Sequence, residues 1–207
     1  MTALDDARYM GLALALARAR QGHTAPNPAV GCVLVKNGRI LATGATQDGG
    51  RPHAERVALD AAGAAAQGAT AYVTLEPCAH HGQTPPCADA LIAAAVSRVV
   101  IACLDRFPQV AGRGIARLEA AGIAVDTGLG GTAAGQLYAG FFSRVETGRP
   151  EIRVDARLRG YDATLTATTP HEAESELKAH GEAGRNRIRI APEHPLAGLD
   201  WTTAHDR

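Results

Sequence analysis

Three residues in the first half of the chain have the types and spacing of a catalytic metal site. His53 lies in the segment HAER, and Cys78 and Cys87 enclose the stretch AHHGQTPP. A catalytic zinc ion takes three protein ligands and keeps one position for water, which it makes acidic. One imidazole and two thiolates are such a set. The residues therefore predict a zinc site at His53, Cys78 and Cys87 that activates water.

Glu55 is the candidate for moving protons at this site. Residues two apart on a helix point about 200° from one another, so Glu55 does not compete with His53 for the metal. The pattern H-x-E followed by Pro-Cys and a second Cys is typical of zinc deaminases that act on nucleobases, in which the Glu is the acid and base. HAE alone is a weak signal, and two loop cysteines also fit a redox pair. They also fit a closed structural zinc with His80 or His81 as fourth ligand.

The pattern of apolar residues predicts the elements that would bring these side chains together. A helix over 4–20 precedes two strands, 29–36 and 39–46, which Asn37-Gly38 joins as a hairpin. Three helix–strand units follow. Their helices are expected between Pro52 and Gly68, over 87–96 and over 114–122, and their strands over 69–75, 97–104 and 123–128; a helix over 131–148 ends at Gly148. Strands separated by helices indicate an α/β fold with a mixed five-stranded sheet in three layers. Loops after strands and helix N-termini meet at one sheet edge, which would gather the three ligands.

Residues 151–207 differ in composition from residues 1–150, and we expect two parts with that boundary. The second part is rich in Arg, Glu and His and has only short apolar clusters. It predicts two or three short strands and one helix at about 170–180, packed as an appendage on the larger part.

Charge and hydropathy favour a small-molecule substrate. Lys and Arg total 21 and Asp and Glu total 21, so there is no electrostatic reason to expect nucleic acid or an anionic membrane as partner. No apolar run approaches 18 residues, and the first helix does not read as a signal peptide, so we expect a cytoplasmic protein. Cys32 and Cys103 lie in apolar strand-like runs, where a buried, unreactive thiol is expected.

Several segments closely resemble the deaminase half of the bifunctional riboflavin-biosynthesis deaminase/reductase. They are PNPAVGCVLVKNGRI (26–40), GGRPHAE (49–55), YVTLEPCAHHGQTPPCADALIAA (72–94), VAGRGIARLEAAGI (110–123) and GFFSRVETGRP (140–150). The resemblance covers about residues 4–158 and implies a cytidine-deaminase-like fold that commonly forms homo-oligomers. It also implies hydrolytic deamination of 2,5-diamino-6-ribosylamino-4(3H)-pyrimidinone 5′-phosphate with release of ammonia.

The resemblance carries site roles over by position. It implies zinc ligands at His53, Cys78 and Cys87, a proton shuttle at Glu55, and substrate contacts at Asn27, His80 and Asp105. Asn27 could instead form an Asx-turn between its two prolines. The helix 131–146, with Leu137, Tyr138, Phe141 and Phe142, fits either an oligomer face or ordinary core.

The chain departs from the family at positions expected to face the substrate. Gln83 replaces a Lys or Arg that suits a phosphate, and Thr46 replaces a His. Asp105-Arg106-Phe107-Pro108 replaces Asp-Pro-Asn-Pro. Either Arg106 or Arg113 would then supply the missing cation, or the substrate would lack a phosphate.

The second part of the chain is the largest departure, because the family continues there into a full reductase domain. Residues 151–207 resemble a shrunken remnant of it, so we expect no reductase activity. Three other readings stay open: a deaminase of another amino-heterocycle, a non-catalytic partner that keeps zinc for stability, and, with less support from the charge balance, a tRNA-editing enzyme.

Overall fold

The computed structural model describes residues 2–80, 85–106 and 111–201. Six helices are seen within them: α1 (Ala3–Ala19), α2 (Ala54–Ala62), α3 (Cys87–Ala93), α4 (Arg113–Ala120), α5 (Gly131–Thr147) and α6 (Pro170–Glu182). The strands are β1 (Gly31–Lys36), β2 (Arg39–Ala45), β3 (Thr70–Val73), β4 (Arg98–Ile101), β5 (Ala124–Thr127), β6 (Glu151–Val154), β7 (Ala163–Thr164) and β8 (Arg187–Ile190).

The first five strands form one mixed sheet in the order β2-β1-β3-β4-β5, as the sequence predicts. β1 is antiparallel to both of its neighbours, and β3, β4 and β5 run parallel to one another. β2 therefore runs in the same direction as β3, β4 and β5. The carboxyl ends of these four strands lie at one edge, together with the loop that enters β1.

Helices cover both faces of this sheet and give the three layers. α1 and α5 lie on one face, and α2, α3 and α4 lie on the other. Two glycines allow the helices to approach closely. A side chain at Gly31 would collide with the backbone of α1 at Ala13, and one at Gly44 would collide with the backbone of α2 at Ala54. The core between the layers is apolar and contains Val33, Tyr72 and the other members of one continuous buried cluster.

The second helix is shorter than its sequence pattern predicts. α2 ends at Ala62, and Gly63 follows with a positive φ of 54°, which favours glycine. A short 3-10 turn then covers Gly63–Ala66. The alanine-rich composition suggested a continuous helix, but the glycine conformation decides its end.

Residues 151–201 form a second, smaller unit, the C-terminal unit. β6, β8 and β7 make a parallel three-stranded sheet in that order, and α6 begins after the N-cap Thr169. This unit has its own buried cluster around Leu177, Ile188 and Ile190, in agreement with the predicted strands and helix. It also packs on the first unit: a side chain at Gly140 of α5 would collide with the carbonyl of Asn186.

Within the described ranges, no helix is long and apolar enough to cross a membrane.

Candidate active site

The predicted zinc ligands meet at the carboxyl edge of the sheet. His53 is the N-cap residue of α2, Cys78 lies in the loop after β3, and Cys87 is the first residue of α3. Their donor atoms all lie within 4.8 Å of one another. Two helix N-termini therefore point at the cluster, and their partial positive charge favours thiolates over thiols.

The spacing of the donor atoms fits a tetrahedral zinc ion. The Sγ atoms of Cys78 and Cys87 lie 3.8 Å and 3.4 Å from His53 Nδ1. Zinc–sulfur and zinc–nitrogen bonds at the tetrahedral angle require roughly 3.6 Å between those atoms. Among the described residues, His80 is not part of the cluster, so the three-ligand arrangement of an open site is observed. His81, the other proposed fourth ligand, lies outside the described residues.

The two thiols are chemically distinct. The side-chain hydrogen bond from Cys87 lowers the pKa of Cys78 to about 4. The backbone N–H of Cys87 also donates to Cys78 Sγ at 3.3 Å. The side-chain hydrogen bond, together with burial, raises the pKa of Cys87. Hydrogen bonding to Cys78 raises the pKa of His53 although burial opposes it. The cluster thus favours a thiolate at Cys78 even before a cation is added.

Glu55 lies beside this cluster in a buried position. It belongs to the first turn of α2, and only 4% of its surface is exposed. Burial, followed by the charge of Cys78, raises its pKa to about 7. A carboxyl group with a pKa near neutrality can both accept and donate a proton.

A cavity of about 260 Å³ opens in front of His53, Glu55 and Cys78. Four of the five residues that the sequence assigned to substrate contact line it: Asn27, Thr46, His80 and Asp105. The fifth, Gln83, lies outside the described residues. These four come from the loops after β2, β3 and β4 and from the loop before β1, so the strand directions explain why they meet.

Asn27 and Thr46 also have structural contacts. Asn27 Nδ2 donates to the carbonyl of Gly50 at 2.8 Å and lies 3.4 Å from His53 Nε2. Its side chain thus links two parts of the site and does not close a local Asx-turn. Thr46 is 1% exposed, and its hydroxyl accepts the backbone N–H of Val30 at 2.9 Å. The Thr46 hydroxyl therefore fixes the entry to β1.

Glu76 is a site residue that the sequence analysis missed. It is 3% exposed, and its carboxylate accepts the backbone N–H groups of Asp105, Gly112, Gly114 and Ile115 at 3.0–3.4 Å. The carboxylate thereby ties the loop after β3 to the loop after β4, which carries Asp105. A charged residue directly after a buried strand, in TLEPC, was the available signal.

Two arginines line the cavity, and they are not the two that the sequence suggested. Arg51 and Arg144 lie in its wall. Arg106 instead pairs with Glu146 at 3.5 Å and lies over the ring of Phe142, in a separate hollow along α5. Arg113 is not among the residues of the cavity wall. Spacing along the chain could not show this, because the wall includes α5, which follows the zinc ligands by more than forty residues.

α5 contributes both to the core and to the cavity. Leu137, Tyr138 and Phe142 are buried, whereas Phe141 lines the cavity with Val145. The core interpretation of this helix is therefore confirmed for three of its four large apolar residues.

Comparison with known proteins agrees with this geometry. Residues 4–103 match the family model of the cytidine and deoxycytidylate deaminase zinc-binding region. The chain is 49% identical over 147 residues to diaminohydroxyphosphoribosylamino-pyrimidine deaminase from Buchnera aphidicola (subsp. Acyrthosiphon pisum); the match covers 71% of this chain and 100% of the relative. The chain belongs to the diaminohydroxyphosphoribosylaminopyrimidine deaminase family. Its zinc-binding region contains the His53, Cys78 and Cys87 cluster.

Longer members of this deaminase family match only in part. Riboflavin biosynthesis protein RibD from Escherichia coli (strain K12) is 54% identical over 162 residues, which are 77% of this chain and 44% of the relative. The chain thus spans less than half the length of that relative. A solved structure from Thermotoga maritima, a diaminohydroxyphosphoribosylaminopyrimidine deaminase/5-amino-6-(5-phosphoribosylamino)uracil reductase, matches with a TM-score of 0.80 and 25% identity. That match covers 91% of this chain and 81% of the other, and it confirms the fold class.

Proposed function

We propose that this chain is a zinc-dependent hydrolytic deaminase whose substrate is 2,5-diamino-6-ribosylamino-4(3H)-pyrimidinone 5′-phosphate. The observation that carries the proposal is that a buried Glu55 lines one cavity together with His53 and Cys78, two of the three clustered zinc donors. The name of the Buchnera relative supports the choice of substrate.

In the proposed reaction, water adds to the ring carbon that carries the exocyclic amino group, and ammonia leaves. Zinc, when bound by His53, Cys78 and Cys87, supplies the Lewis acid that makes water reactive near neutral pH. Glu55 takes a proton from the water and gives one to the departing nitrogen, so the products are ammonia and the pyrimidinedione. A scaffold that used zinc only for stability would have no use for a buried carboxyl group at that point.

The remaining polar residues of the cavity are proposed to orient the ring and the sugar. Asn27, held through Nδ2 by Gly50, can present its amide oxygen to a donor on the substrate. Asp105 is held by the contact between its backbone N–H and Glu76. His80 lies at the rim, more exposed than the other two. Thr46 lines the cavity at the side of Val30, and Gln83 remains a predicted contact.

Ammonia release from a substrate panel tests the proposal. The panel contains the riboflavin precursor, cytosine, guanine, adenine and their nucleosides, each assayed with and without a chelator. We expect chelator-sensitive release from the precursor alone. Ammonia release only from another compound would show that the chain is a deaminase with a different substrate. No ammonia release from any compound in a zinc-loaded sample would support a non-catalytic role.

We also propose that residues 1–150 form the deaminase domain and that residues 151–207 resemble part of a reductase domain. The Thermotoga maritima match supports this, since it covers 91% of the chain and so extends beyond the first domain.

A further inference from the structure

Arg144 lies in the cavity wall and has only neutral hydrogen-bond partners. Its guanidinium is half-buried in the cavity wall, where Nε donates to Asn186 Oδ1 and Nη2 donates to the carbonyl of Pro26, both at 2.7 Å. Both acceptors are neutral. Within residues 2–80, 85–106 and 111–201, Arg144 has no carboxylate within 4.0 Å, whereas Arg98 has two and Arg149 has one. Arg189 also donates only to carbonyl groups, but it does not line the cavity.

A half-buried guanidinium with no carboxylate at salt-bridge distance is an unfavourable arrangement on its own. Burial lowers the pKa of Arg144, and the more distant charge of Asp162 offsets this only in part. A bound anion would offset this cost. A guanidinium has five N–H donors, and the contacts with Asn186 and Pro26 use two of them. Three N–H groups remain for a ligand. Arg pairs with phosphate through two parallel hydrogen bonds, which suits the remaining donors.

The two neutral contacts hold the guanidinium in place. Asn186 belongs to the C-terminal unit, directly before β8, and is 7% exposed. Its Nδ2 also donates to the carbonyl of Asn27 at 3.4 Å, and its own backbone N–H donates to Asp162. The C-terminal unit therefore reaches the cavity wall through one amide side chain that contacts both Arg144 and the loop carrying Asn27.

Glu76 and Arg51 in the wall, and Arg106 outside it, already have other partners. Glu76 receives four backbone N–H groups, so it places little demand on a ligand. Arg51 has further interactions in the structure. Arg106 is paired with Glu146 outside this cavity.

We propose that Arg144 binds the anionic phosphate group of the substrate and that Asn186 of the C-terminal unit is the positioning residue that holds Arg144 in place. This inference rests on the proposed function for the identity of the substrate. It assigns to the C-terminal unit a role in recognising substrate, and it replaces Arg106 and Arg113 as candidates for the cation.

Binding of simple sugars tests the anion site without turnover. Calorimetric titration of the full zinc-loaded chain compares ribose 5-phosphate with ribose. Hydrogen bonds to charged groups contribute about 1.5–3 kcal/mol, so we expect ribose 5-phosphate to bind about 10–100-fold more tightly. Arg144→Gln should remove that preference, and Arg106→Gln, the matched control, should keep it. An unchanged preference in Arg144→Gln would overturn the proposal, as would the absence of any preference in the wild-type chain.

Asn186 is tested by a change that leaves Arg144 in place. Asn186→Asp puts a carboxylate on Nε of Arg144, where it competes with the ligand anion, so we expect the preference for ribose 5-phosphate to fall about tenfold. In kinetics, KM for the phosphorylated precursor should rise about tenfold more than KM for its dephosphorylated form. Equal changes for both substrates would indicate a merely structural role. Asn186→Asp also covers the case in which Arg144→Gln fails to fold.

The two proposals fail in distinguishable ways. If ribose 5-phosphate binding depends on Arg144 but the precursor releases no ammonia, the proposed function is wrong and the anion site is supported. If ammonia is released at the same rate without Arg144 and without the substrate phosphate, the deaminase function is supported and the anion site is wrong.

Discussion

The two walls of the cavity are built in different ways. The metal wall is the zinc-ligand cluster: His53 and Cys78 line the cavity, and Cys87 completes the cluster, with all donor atoms within 4.8 Å of one another. The ends of neighbouring elements supply these residues. The other wall includes Phe141 and Arg144 of α5, and Asn186 of the C-terminal unit holds Arg144. The metal wall is thus determined by adjacent strand–helix junctions, whereas the other wall depends on how distant parts of the chain pack.

The difference indicates how such a site can vary. A ligand set needs fixed residue types at fixed junctions, because zinc binding depends on donor type and tetrahedral spacing. A substrate wall needs only that some suitable group reaches the cavity, whatever element carries it. Changes in the metal wall should therefore abolish the chemistry, and changes in the other wall should alter substrate preference.

Removing a zinc ligand should have the largest effect. Cys87→Ser removes a zinc-binding thiolate at the N-terminus of α3. Loss of a residue that only hydrogen-bonds to a metal ligand already lowers metal affinity about 10–100-fold, so we expect zinc affinity to fall by more than about 100-fold. Metal analysis and ammonia release measure the result. Cys103→Ser is the control, since Cys103 is not in the cluster and should keep zinc and turnover. Full zinc content in Cys87→Ser would show that the metal wall is misassigned.

Removing the proton carrier should separate chemistry from metal binding. Glu55→Gln keeps the size of the side chain but not its basicity, and general acid–base catalysis contributes about 10²–10⁴-fold. We expect kcat to fall by that factor while the protein still binds one zinc ion per chain. Turnover near the wild-type rate would remove Glu55 from the mechanism.

Glu76→Gln tests the junction between the loop after β3, which carries Cys78, and the loop after β4, which carries Asp105. The amide keeps the shape but loses the charge that four backbone N–H groups share, so we expect a loss of about 1–3 kcal/mol in the free energy of unfolding. Denaturant unfolding measures this, and KM should rise because the Asp105 loop is less well fixed. Glu119→Gln on α4 is a matched surface control. Identical unfolding curves for the Glu76 variant and the wild type would show that the junction is not needed.

The smallest expected effect lies away from both walls. Asp6 accepts hydrogen bonds from Arg98 and Tyr72, and the bond from Arg98 is the main cause that lowers its pKa below 3.8. Because the folded-state pKa is the lower one, the contribution to stability is present above the unfolded value and is lost as the pH falls through the folded value. Thermal melts of Asp6→Asn should therefore show a weaker loss of stability below about pH 4 than the wild type. Substrate preference and zinc content should not change, and a change in either would link this ion pair to the site.

Much of the fold could be predicted because the chain marks its elements locally. Asn37-Gly38 fixes the first hairpin, and alternating helix and strand patterns give the parallel part of the sheet. Element ends were less predictable, as the early end of α2 at Ala62 shows. There the positive φ of Gly63 decides, and an Ala-rich pattern does not reveal it.

The sequence alone was enough to predict the cluster of zinc donors, which the structure brings together. His53, Glu55, Cys78 and Cys87 have residue types that few other functions require together, and each lies at a junction that an α/β sheet must bring to one edge. Only the tertiary structure revealed which residues form the other wall. Arg144 and Asn186 reach the cavity because α5 packs on the sheet and the second unit packs on α5, and such long-range contacts depend on the shapes of whole elements. The same packing placed Arg106, a candidate by position along the chain, in a different hollow.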